Sequence, residues 1–177
     1  MKKELAALSL AAAMSIGMTA CGDSSTADDN NDTPPVTSSS AAEDKEITGE
    51  TKTWGVFTVM IPEGWEFKGG DTFDENDPNY CSVKKSDFSY FDLKSEKDEV
   101  MKNQYEYNKK TYTSNQKDIP ATKVGDIEWT GFEYGSDFGD GFELYAVSNG
   151  KNIRVSCAGF KFDSPEAKAV LASIKLG

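Results

Sequence analysis

Asn149-Gly150 is the feature that most narrows what this chain can fold into. Both central positions of a type I′ turn need positive φ, and Asn-Gly supplies them at little cost. The flanks carry the matching pattern. Phe142, Leu144 and Ala146 alternate with Glu143 and Tyr145 before the turn, and Ile153, Val155 and Cys157 alternate with Arg154 and Ser156 after it. A period of two makes each flank a strand with one apolar face. Ile127 to Tyr134, Gly141 to Asn149 and Asn152 to Phe160 therefore read as an antiparallel meander.

Further strands precede it. Phe57, Val59 and Ile61 alternate with Val56, Thr58 and Met60, Pro62-Glu63-Gly64 turns the chain, and Trp65-Glu66-Phe67 reads as a short strand. After a polar loop from Gly69 to Asn79, Tyr80 to Lys85 and Phe88 to Lys94 form a hairpin joined at Ser86-Asp87. Ser95 is the expected N-cap of a helix, with Glu96, Asp98 and Glu99 in its first turn and Lys109-Lys110 in its last. Met101, Tyr105, Asn108 and Tyr112, widened by Val100, give that helix a half-polar stripe suited to one sheet face. Strands resume after Pro120. Ser164-Pro165-Glu166 opens a second helix, with Ala167, Val170, Leu171 and Ile174 on one side. Residues 47–177 thus make one α+β domain with helices packed on an antiparallel sheet.

The chain ahead of the domain has a different character. Met1-Lys2-Lys3 is followed by an uncharged run from Leu5 to Ala20, rich in Ala, Ser, Gly and Thr. That is the anatomy of a secretory signal, and the run is shorter and less apolar than a membrane span of roughly 20 residues. Met18-Thr19-Ala20-Cys21 resembles the lipobox of bacterial lipoproteins, with Met18 where Leu is usual. The resemblance implies cleavage after residue 20 and lipidation of Cys21, hence an extracytoplasmic protein held to a membrane by its N-terminal lipid. Residues 21–46, dominated by Asp, Ser, Thr and Asn, read as a solvated linker with a reach on the order of 25–30 Å.

Composition excludes several functions. Thirty acidic residues against 19 basic ones leave a net charge of -11, a field that repels nucleic-acid phosphates. No nucleic-acid partner is expected. The chain has no histidine, so the commonest general base, His-dependent triads and His-ligated metals are absent. The aromatic residues, 11% of the chain, lie beyond Lys52, which gives the domain its core.

The opening strand running into Ile61-Pro62-Glu63-Gly64-Trp65, the later antiparallel strands, and the end Ser164-Pro165-Glu166 through Val170-Leu171-Ala172-Ser173-Ile174-Lys175 together resemble the PsbP-like family. The resemblance spans roughly residues 50–176 and implies an α/β/α sandwich, a curved antiparallel sheet with helices on its faces. The family includes bacterial lipoproteins of unknown role, and its plant members help hold calcium and chloride at photosystem II. It carries no shared catalytic residues to transfer.

Candidate site residues follow from side-chain chemistry. Cys81 and Cys157 both alternate with apolar neighbours, which leaves two readings open: a disulfide between strands, or two separate buried thiols. Asp71, Asp74, Glu75, Asn76 and Asp77 offer oxygens of the kind Ca²⁺ takes, but Pro78 interrupts them and no Gly supplies a sharp bend. A solvated loop is the preferred reading, with no metal and no cofactor. Trp54, Trp65, Trp129 and Phe138, with Tyr80, Tyr90, Tyr134 and Tyr145, would line a binding face or fill the core. Glu128, Glu133, Asp137 and Glu143 would have to supply any carboxylate pair for carbohydrate hydrolysis. The expected role is a membrane-tethered binding or accessory domain for a protein or small ligand, not an enzyme. A carbohydrate-active enzyme and a structural surface protein are the alternatives.

Overall fold

Antiparallel pairing organises the computed structural model, which describes residues 46–137 and 139–177. The leader, Cys21, the linker as far as residue 45, and Phe138 lie outside the described residues. In chain order the elements are β1 (Gly49–Trp54), β2 (Phe57–Pro62), β3 (Glu66–Gly69), β4 (Tyr80–Ser86), β5 (Ser89–Glu96), α1 (Asp98–Thr111), β6 (Lys117–Val124), β7 (Ile127–Ser136), β8 (Gly139–Ser148), β9 (Lys151–Ala158), α2 (Pro165–Ser173) and β10 (Lys175–Leu176). They form a three-stranded sheet, β1-β2-β10, and a seven-stranded sheet, β3-β4-β5-β9-β8-β7-β6. The fold is α+β and mostly antiparallel sheet.

The β8–β9 hairpin forms as the Asn-Gly pair dictates. Asn149 and Gly150 have φ of 49° and 71°, and Ser148 pairs with Lys151 across them. Strand alternation then sorts side chains onto two faces of the large sheet. Cys81, Val83, Phe91, Leu93, Phe142, Leu144, Val155 and Cys157 point to one face and are almost wholly buried. This face joins Phe57, Val59 and Ile61 of β2 and Ala167, Val170, Leu171 and Ile174 of α2 in one core. A fully buried side chain of this size contributes about 1.5–3 kcal/mol over its exposed state. α2 starts as its sequence implies: Ser164 Oγ accepts from Ala167 N at 3.2 Å, and Pro165 follows at the first helical position. Its Ser173 Oγ also accepts from Met60 N at 2.9 Å, fixing the helix to β2.

α1 lies on the opposite face, against β8 and β9, and only Met101 and Asn108 of its residues are fully buried. Its stripe is half polar, as the sequence implies, but two details differ. Ser95 stays in β5, paired with Ile153 and donating its N–H to Asn79 O at 2.8 Å, so Lys97 becomes the N-cap with no side-chain cap bond. Val100 is 46% exposed and does not widen the stripe.

Other corrections concern strands and cysteines. β1 was not expected; its Thr and charged residues are exposed, and it is held as an edge strand by backbone pairing to β2. β6 begins before Pro120, not after it, and its pairing with β7 shifts register between Ile119 and Thr122. An edge strand tolerates proline because one side needs no donor. Cys81 and Cys157 are free, buried thiols, so the disulfide reading fails. Cys81 pairs with Leu93 while Cys157 pairs with Phe91, which leaves β5 between them. Two strand spacings, roughly 9–10 Å, exceed the ~7 Å limit for bridging Cα atoms.

Candidate functional site

The face beneath α1 carries polar residues where the opposite face carries the core. Register aligns Ser82, Asp92, Ser156, Glu143 and Phe132 in one row across β4, β5, β9, β8 and β7. The adjacent row is Tyr80, Lys94, Arg154, Tyr145 and Thr130. Tyr90 and Tyr134 share this face, so Tyr80, Tyr90, Tyr134 and Tyr145 fall on one side of the sheet.

Glu143 sits at the centre and is 2% exposed. Its Oε2 accepts from Ser156 Oγ at 2.9 Å and from Tyr145 OH at 3.4 Å, and Asn108 of α1 also bonds to the carboxylate. Burial raises its pKa, an effect that the nearby Arg154 guanidinium and these hydrogen bonds offset only in part. Burial also raises Tyr80, Tyr134 and Tyr145, so all three are neutral phenols that can donate. α1 is fastened here by ring contacts too. Tyr105 meets Tyr145 edge-on at 4.7 Å, and Tyr112 stacks on Tyr134 at 4.3 Å. Ser82 Oγ, Asp92 Oδ1 and Arg154 Nε are buried without a hydrogen-bond partner.

Toward the first half of α1 the layer opens into a concavity of about 690 Å³. Asp98, Met101, Lys102, Tyr105 and Glu106 recur at helical spacing and form its wall, while Glu128, Tyr145 and Val147 come from the sheet. Val147 is 72% exposed although it is a large apolar side chain in a strand. The volume lies within the range of small-molecule sites, about 300–1,000 Å³.

The sequence candidates are scattered by comparison. Trp129 is fully buried on the α2 side, with Nε1 unpartnered, and lines no open surface. Trp54 is half-buried and donates from Nε1 to Asp77 O at 2.8 Å, pinning the 70–79 loop. Trp65, also half-buried, stacks on Phe160 at 5.3 Å with Lys85 Nζ 5.9 Å from its ring. In the acidic loop, Asp71 Oδ1 accepts from Phe73 N and Asp74 N, Asp74 from Asn76 N, and Asp77 from Asn79 N. Those backbone donors hold Asp71 below its usual pKa. The side chains serve the loop's own turns, and among the described residues no group of three or more His, Cys, Asp and Glu is placed to hold a metal.

The four candidate carboxylates are not brought together. Glu133 accepts from Phe162 N at 2.8 Å on the α2 side, and Asp137 is exposed beyond the end of β7. Glu128 and Glu143 share the α1 face, but the partner of Glu143 is Phe132, four residues along β7 from Glu128. That offset is roughly 13 Å, wider than the ~5–9.5 Å between glycosidase carboxylates. What sequence reasoning missed was the concavity. Its residues are contributed by α1, β7, β8 and β9, and the exposed Val147 was the one local sign.

Among the described residues no helix is long and apolar enough to cross a membrane. The fold and the polar layer define a class, an α+β domain with one apolar and one polar sheet face. No family model matches the chain, and no curated protein matches it. Among solved structures it is similar to a Bacteroides thetaiotaomicron VPI-5482 protein determined at 1.50 Å, with 15% identity and a TM-score of 0.41. The match covers 73% of this chain and 48% of that one, so it spans about half of that protein's length.

Proposed function

We propose that this chain is an exported lipoprotein, held to the membrane by fatty chains on Cys21, whose domain acts outside the cytoplasm by recognition. It serves as a binding or accessory domain, and no catalysis is assigned to it. The observation that carries the anchor is Ala20-Cys21 placed between a basic, then uncharged leader and an acidic Ser/Thr/Asp spacer. Two acyl chains on one residue hold a protein stably, because each buried CH₂ contributes about 0.8 kcal/mol and one chain alone is marginal. The recognition role is supported by the concavity beside α1, which joins apolar and polar groups in one recess. The finer fold reading is a PsbP-like sandwich with a curved sheet. It is supported by α1 and α2 lying on opposite faces of the seven-stranded sheet, as that resemblance implies.

Cys21→Ala tests the anchor. The native chain is expected to take up a labelled fatty acid and sediment with membranes. The variant is expected to lose the label and remain in the soluble fraction. A variant that still sediments with membranes would overturn the reading.

A further inference from the structure

The concavity beside α1 is lined by both apolar and acidic side chains. Met101, Tyr105, Tyr145 and Val147 supply apolar surface, and Glu106 and Glu128 are exposed carboxylates in the lining. The lining includes one cation, Lys102, and its Nζ is engaged by Asp98 Oδ2 at 2.6 Å. Glu106 and Glu128 form no ion pair among the described residues, although Lys123 stands opposite Glu128 in the β6–β7 register. The Tyr105 and Tyr145 rings meet edge to face at 4.7 Å and both line the concavity. Lys109 Nζ already lies 5.5 Å from the Tyr105 ring centroid, so this ring takes part in a cation–π contact within the protein. The net charge of -11 adds a general attraction for cations, which a recess concentrates.

We propose that this concavity binds a small organic cation, an amine or guanidinium carried on an apolar and preferably aromatic body. The body rests on Met101, Tyr145 and Val147, covering apolar surface that the fold leaves in water. The charged group lies toward Glu106 and Glu128. Charge complementarity selects this occupant. An anion would meet two uncompensated carboxylates, and a neutral molecule would leave them unused. The inference rests on the reading of the domain as a recognition module and adds the chemistry of what it recognises.

Three probes of similar shape separate the two claims: 2-phenylethylamine, 2-phenylethanol and 3-phenylpropionate. Each is titrated into the full chain carrying Cys21→Ala, with amide shifts of α1 and β8 followed by NMR. The amine is expected to bind about tenfold more tightly than either other probe, a difference of about 1.4 kcal/mol. Glu106→Gln and Glu128→Gln are each expected to weaken the amine about threefold, as partly exposed charge pairs do, and to leave the alcohol unchanged. Both replacements are isosteric and on exposed side chains, so native shifts elsewhere report an intact fold. Equal binding of all three, or preference for the carboxylate, overturns the cation inference and leaves recognition at this face standing. Absence of saturable shifts at α1 and β8 with every probe removes both.

Discussion

At the scale of single residues, Glu143 is the group under most tension. A carboxylate 2% exposed loses hydration that Ser156, Tyr145, Asn108 and Arg154 replace only partly, and its pKa is raised from 4.5. The folded state therefore holds the proton more tightly than the unfolded chain does. That contribution to stability is fully present below the unfolded value and is lost as pH rises through the folded value. Glu143→Gln cannot titrate. Its stability relative to the native protein is expected to increase as pH is raised from about 4 to 7, measured by denaturant unfolding at several pH values. A constant difference across that window would contradict the assigned cause. The sequence put Glu143 on the polar side of its strand, opposite Phe142 and Leu144, and that placement is correct. Its burial was not legible, because part of its cover comes from Asn108 on a helix much earlier in the chain.

At the scale of elements, the two helices differ in how they begin. α2 has a side-chain cap, since Ser164 Oγ holds Ala167 N, whereas α1 begins after Lys97 without one. Ser164→Ala is expected to cost about 0.5–2 kcal/mol. Ser95→Ala is expected to lose no cap, so thermal unfolding of the two variants distinguishes a capping serine from a strand serine. Equal losses would move the start of α1 back to Ser95. The same contrast shows why some boundaries were readable. Ser164-Pro165 has a local cause acting within one turn, and so does Asn149-Gly150. The end of β5 is set instead by the Asn79 carbonyl and by Ile153 of β9, which no local pattern announces. β1 escaped for a related reason, since its pairing to β2 uses backbone groups and its exposed side chains alternate in nothing.

At the scale of the whole molecule, the large sheet divides two kinds of interaction. Its α2 side holds the aliphatic and aromatic core, including both internal thiols, and burial lifts Cys81 to about 12. In a chain bearing Cys21→Ala, neither thiol is expected to react with a disulfide reagent in native buffer. Two equivalents are expected to react after unfolding, read by absorbance. A linked pair, or one fast native thiol, would contradict this packing. The β4–β5 hairpin, the meander and the face of α2 were legible because period-two and period-3.6 patterns record which side meets the core, whereas the pairing of β5 with β9 and the separate β1-β2-β10 sheet were not. The concavity was not, because four elements compose it and its residues look like ordinary solvent-facing positions. The other side of the sheet is held by phenol rings, an amide and the carboxylates of Glu143 and Asp92, with Met101 and Phe132 as fully buried hydrophobes among the described residues. Lifting α1 away would therefore uncover less apolar surface than parting the α2 side, and would change the heat capacity less. Cooling weakens apolar burial, so cold acts more on the layer beneath α2 than on the one beneath α1.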